Sequence, residues 1–197
     1  MLLPAQPLLV AILAIFLFFA LCGALVLIVV SLTRPRTLPL AVAAGLVVVA
    51  LVVVALAPVN IPTLMGLIVA LLGIAVGVVG GNPVTRRILG VASGGRVQET
   101  SDGGIVLSSA EDAGEGIEKT RTLMRGGTVI GYLERIAVVL AIIAGYPEAI
   151  AIVVAVKGIG RFAELATAEA RERFIVGTLA SLVWACVVGA LVRLAIV

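Results

Sequence analysis

Histidine is absent from this 197-residue sequence. That removes the commonest general base, the usual imidazole ligand for haem or zinc, and every Ser-His or Cys-His nucleophile pair. Cysteine is nearly absent too: Cys22 and Cys186 are the only two, each inside an apolar run. Such cysteines behave as small hydrophobes, so neither a disulfide nor a metal site is expected. Charged residues make up 13% and aromatics 4% of the chain, whereas a soluble domain is about a quarter charged. No aspartate falls in an apolar stretch, which leaves Ser181 with Lys157 as the sole conceivable nucleophile–base pair. A serine in a helix interface is commonplace, so the sequence reads as a non-enzyme without a cofactor.

What is present is hydrocarbon. Apolar residues are 62% of the chain, and the mean hydropathy is +1.28. A domain this small must cover a large surface with polar groups, and this composition cannot supply them. The excess apolar area calls for lipid. With Val, Ala and Gly carrying the hydrophobicity, slim and closely packed helices are expected. Residues 8–32 run without a charge, long enough to cross about 30 Å of hydrocarbon. The start lacks the basic segment of a cleaved signal peptide and reads as a retained first helix. Residues 38–57 and 61–80 form the next two spans, joined by a tight link at Pro58–Pro62. Residues 128–145 and 147–165 meet at Gly145-Tyr146-Pro147, and 171–194 close the chain. The predicted fold is all-α: a polytopic membrane helix bundle of about six transmembrane helices. It divides into an apolar three-helix region (1–81), a polar cytoplasmic loop (82–127) and a three-helix region with buried charge (128–197).

Within the loop, Asn82-Pro83 predicts the cap of a short interfacial helix over 84–91, with proline at its first position. A second helix is expected over 112–125, and a small hairpin or a disordered loop over 96–107. Orientation follows from the basic residues. Arg34, Arg36, Arg86, Arg87, Arg96, Lys119, Arg121, Arg125, Arg161, Arg171 and Arg173 all fall on one side of the predicted spans, eleven of the 14 in the chain. That side should be the cytoplasm, with both termini outside. Only Arg193 lies at the opposite face.

Two features rise above this background. Gly66, Gly73, Gly77 and Gly81, with Ala70 among them, line one face of the third span. Small residues at this spacing let another backbone approach, either within the chain or from a second copy. The other is charge inside the hairpin of spans four and five. Reflected about Tyr146, Glu134 falls opposite Gly158 and beside Lys157, each about 16–18 Å from the turn. That depth is near mid-bilayer, where a lone charge costs about 2.5–3.5 kcal/mol, so the two should pair. Arg161 and Glu164 share a helical face with Lys157. Arg135 points about a hundred degrees from Glu134 and needs another acceptor, Glu164 or a lipid phosphate. Thr178 and Ser181 bring hydroxyls to a similar depth beside Gly177. Glu134, Arg135, Lys157, Arg161, Glu164, Thr178 and Ser181 are therefore the candidate polar layer, read as a packing clasp, an anion site or an ion path.

Three segments carry a resemblance. Ile130-Gly131-Tyr132-Leu133-Glu134-Arg135, then Ala155-Val156-Lys157 through Arg161-Phe162-Ala163-Glu164, then Gly177-Thr178-Leu179-Ala180-Ser181 resemble, in order, the IGxLER, AxKxxxRFxE and GTLxS pattern of an uncharacterised family of small bacterial multi-pass membrane proteins. The likeness covers residues 126–184, and it departs at Phe174, where a tyrosine is expected. It implies a bacterial inner membrane and supplies no activity. The expected partners are the lipid bilayer and another membrane protein or a second copy, with nothing pointing to nucleic acid. The expected role is a structural or accessory subunit of a membrane complex. The alternative is a small ion, proton or anion transporter using Glu134, Lys157 and Arg161, against which no inverted repeat is visible between the halves.

Overall fold

A computed structural model describes residues 5–33, 37–57, 60–92, 127–160 and 168–197. They form six helices: α1 (Ala5–Thr33), α2 (Thr37–Leu56), α3 (Thr63–Ala92), α4 (Gly127–Ile143), α5 (Ala149–Gly160) and α6 (Ala168–Ile196). Four of them, α1, α2, α3 and α6, are long and apolar enough to cross a membrane. The described residues are thus all-helical, and the length and composition of the helices are those of a multi-pass membrane protein. α4 has 17 residues and α5 has 12, about 25 and 18 Å of helix. The α4–α5 hairpin is accordingly shorter than the helices around it.

Steric contacts at the glycines fix the helix directions. A Cβ at Gly66 would meet Ile196, one at Gly73 would meet Val192, one at Gly77 would meet Val188, and one at Gly80 would meet Trp184. Rising numbers on α3 pair with falling numbers on α6, so the two run antiparallel. α4 is antiparallel to α3, since Val139 lies at Gly77 and Arg135 at Gly81, and parallel to α6, since Ile142 lies at Gly189. α6 is central, packing on α2, α3 and α4, while α1 covers α2 and α3. The main core joins Leu17, Leu21, Ile28, Val47, Val69, Val76, Trp184, Val188 and Leu191, and a smaller one joins Val138, Val139, Leu182 and Ala185. Outward faces carry Leu, Val and Ile as well, among them Ile12, Phe19, Leu38, Leu71 and Val183. Helices apolar on every side suit a lipid surround.

The separate helix expected over 84–91 does not exist as such. α3 continues through Asn82-Pro83 to Ala92 as one helix of 30 residues. Proline takes one donor from the ladder, that for the Val79 carbonyl. In a membrane such a loss is tolerated where neighbouring helices supply hydrogen bonds, and α4 does so one residue away, at Val78. The expected hairpin over 96–107 and helix over 112–125 lie outside the described residues.

Two contacts tie down the ends. Tyr146 N–H donates to Ala141 O (2.8 Å) and Gly145 N–H to Ile142 O (3.0 Å), with Gly145 at φ 79°. This is a Schellman turn, whose left-handed residue favours glycine. At the far end of α6, Asn60 Nδ2 donates to Val197 O (2.8 Å) and Ile61 N–H to Ala195 O (3.2 Å).

The tightness of the α3–α6 contact gives a test. A Cβ at Gly80 would stand 2.7 and 2.8 Å from the Trp184 ring and 2.9 Å from Ile28, so Gly80→Val should lower stability by about 1–3 kcal/mol. Gly45→Ala, with nothing within 4 Å, should leave it unchanged or raise it by up to about 1 kcal/mol. Reversible unfolding in mixed micelles measures both.

Candidate functional site

Arg135 sits at the junction of α3, α4 and α6 and is 2% exposed. Its guanidinium makes three hydrogen bonds in three directions: Nε donates to Val78 O (2.8 Å), Nη1 to Ser181 Oγ (2.9 Å) and Nη2 to Asn82 Oδ1 (2.7 Å). It also lies against the Tyr132 ring, 5.3 Å from the centroid, in cation–π range. The planar fork is what lets one side chain reach a backbone carbonyl, a hydroxyl and an amide oxygen together. Space for it comes from Gly81, where a Cβ would overlap the Arg135 side chain, and from Gly131 on its own helix. Among the described residues its acceptors are three neutral groups of the chain itself; of the acceptors expected for it, Glu164 lies outside the described residues. The Pro83 region of α3 presents a carbonyl and Asn82 at the right height.

Glu134 faces the other way. It is 8% exposed, and Lys157 Nζ donates to its Oε2. The Lys157 ammonium also lies 5.9 Å from the Phe174 ring centroid. The second carboxylate oxygen, Oε1, is buried without a hydrogen-bond partner among the described residues. Thr178 and Ser181 are both buried and lie on one face of α6, three residues apart. Arg161 and Glu164 lie outside the described residues. Of the predicted layer, the structure brings Arg135 to Ser181 and Glu134 to Lys157, as two adjacent but separate knots.

Arg135 meets α3 at Val78 and α6 at Ser181, each near the middle of its helix. Asn82 is one turn from Arg86 and Arg87, the first charged residues of α3. All four glycines of the predicted seam, Gly66, Gly73, Gly77 and Gly81, are buried and face side chains of α6 and α4. The groove is filled from within the chain.

Several participants escape a reading of charge alone. Asn82 looked like a helix cap and is instead an acceptor for Arg135. Trp184 donates through Nε1 to Val76 O at 3.2 Å, in the space Gly80 leaves. Arg193 donates from Nη1 to Ile142 O (3.1 Å) and Ile143 O (3.3 Å), capping the last carbonyls of α4 beside Gly145. A lone basic residue on the basic-poor side was the available signal for that cap.

Comparison with known proteins returned no matching family model, no matching curated protein and no matching solved structure.

The Arg135 knot makes a quantitative prediction. Ser181→Ala should cost about 1–3 kcal/mol, as expected for a lost bond to a charged group. Arg135→Lys should cost at least as much, because one ammonium cannot reach three acceptors. The combined variant should cost less than the two single costs together, since both remove the same bond. Unfolding midpoints in mixed micelles decide it.

Proposed function

We propose that this chain is a structural or accessory subunit of a membrane assembly, and that its polar layer is an internal clasp. The observation that carries the reading is Arg135, whose hydrogen bonds end on α3 and α6. A group that must be free to bind cargo keeps its donors available, and this one spends three of them on holding helices together. In a bilayer such bonds replace the hydrophobic drive that lipid cancels between apolar helices. The filled glycine groove points the same way, toward a compact frame. α5 adds a face for assembly, because none of its residues is buried.

The proposed setting is the bacterial inner membrane, on the strength of the motif resemblance across residues 126–184. The proposed topology has both termini outside and the 93–126 segment in the cytoplasm. Whether the short α4–α5 hairpin crosses completely or returns from part-way, α6 still starts on the side where α3 ends. The placement of the termini is therefore the same for six spans or for four spans and a re-entrant hairpin.

A second reading, an ion or proton path, is favoured by the Glu134 Oε1 atom, which lacks a partner among the described residues. An intramembrane ionisable group is a functional candidate by default.

Extraction in mild detergent followed by native mass spectrometry should recover a larger complex or a homo-oligomer. A solitary monomer under every mild condition removes the subunit reading. For the ion path, proton or ion flux in liposomes should vanish with Lys157→Met, and a wild type without flux removes that alternative. For topology, Arg87→Cys in a chain with Cys22 and Cys186 replaced by Ala should react with an impermeant thiol reagent only from the cytoplasmic side.

A further inference from the structure

α5 differs from every other helix in how it is held. It packs mainly on α4, and none of its residues is buried. Its inward face is Ile150 and Val153, half-buried against the smaller core, followed by Lys157. Those apolar contacts are weak as a fastening, because lipid tails offer α5 an equivalent surround. A Cβ at Gly158 or Gly160 would meet nothing within 4 Å among the described residues. The ion pair from Lys157 to Glu134 is the polar tie between the two helices. At the other end, the Gly145 turn is pinned: its peptide groups close the Schellman bonds, and Arg193 grips the last carbonyls of α4. Among the described residues the hairpin is fixed at its tip and held near its mouth by the Lys157–Glu134 pair and the contact of Lys157 with Phe174.

We propose that α5 is a hinged strap, latched by Lys157 on Glu134, that swings away from α4 and α6 about the Gly145 turn and uncovers the Glu134 carboxylate. The carboxylate suits this role, since Oε1 has no partner and Lys157 is its one hydrogen-bonded tie among the described residues. Lys157 is 16% exposed along its side chain, so it leaves without crossing the packed interior. The Arg135 knot, built from α3, α4 and α6, stays closed as the strap moves. This inference goes beyond the subunit reading and holds whatever the chain assembles with.

Spin labels on Val156 of α5 and Leu179 of α6, both exposed, read the strap directly. The full chain, with Cys22 and Cys186 replaced by Ala, is reconstituted in lipid nanodiscs, and label-to-label distances are measured by pulsed electron resonance. The wild type should give a narrow distribution dominated by the latched state. Lys157→Met should broaden it and add a population longer by about one helical turn, roughly 5 Å. Glu134→Gln should do the same, which keeps the test decisive if the methionine variant does not fold. Exchanging the pair, Glu134→Lys with Lys157→Glu, should restore the narrow distribution. Unchanged distances in both single variants would overturn the strap, and so would an exchanged pair that stays as broad as Lys157→Met.

Discussion

The structure depends on keeping ionised groups out of contact with hydrocarbon. A charge placed alone near the centre of a bilayer costs several kcal/mol, and the described helices carry three such groups, Glu134, Arg135 and Lys157, within or beside the packed interior. The chain solves this twice by different chemistry. The Glu134–Lys157 pair cancels opposite charges across a hairpin. Arg135 is instead spread over oxygens that are polar but uncharged, a solution open to a planar group with several fixed donors. Breaking either knot by removing one partner leaves the other stranded, which is the expensive case for buried charge.

Small residues make the second solution possible. Gly81 admits the Arg135 side chain, and Gly73, Gly77 and Gly80 admit α6, Val139 and Trp184. Close approach puts backbone carbonyls of α3 within reach of side chains from both neighbours: Val76 accepts from Trp184 and Val78 from Arg135. In water those carbonyls could satisfy passing solvent. Here they become adhesive between helices.

Much of the fold was readable from the chain because membrane helices obey a simple length and polarity rule. The long apolar runs became α1, α2, α3 and α6, and reflection about Tyr146 placed Lys157 beside Glu134. What sequence reasoning missed shares one physical cause. For Arg135 a sequence shows only charged acceptors such as Glu164, whereas the acceptors it has among the described residues, Val78 O and the Asn82 side chain, are visible only once helices have a register. Asn82-Pro83 reads as a helix start by local rules, yet α3 passes through it. A proline's missing hydrogen bond is tolerated where a neighbouring helix supplies donors, and no local rule contains that neighbour. Trp184 and Arg193 act on carbonyls of other helices and were hidden for the same reason.

The Arg135 knot also has a history written into its numbering. Its acceptors Val78 and Asn82 precede it by 57 and 53 residues, so they have already been synthesised when Arg135 emerges. Ser181 follows it by 46 residues, and the cap of α4 waits longer still, for Arg193. A nascent chain halted before α6 therefore holds a guanidinium with one branch unanswered and a hairpin tip without its Arg193 contacts. Arrival of α6 completes both at once, and with it the two halves of the bundle become one.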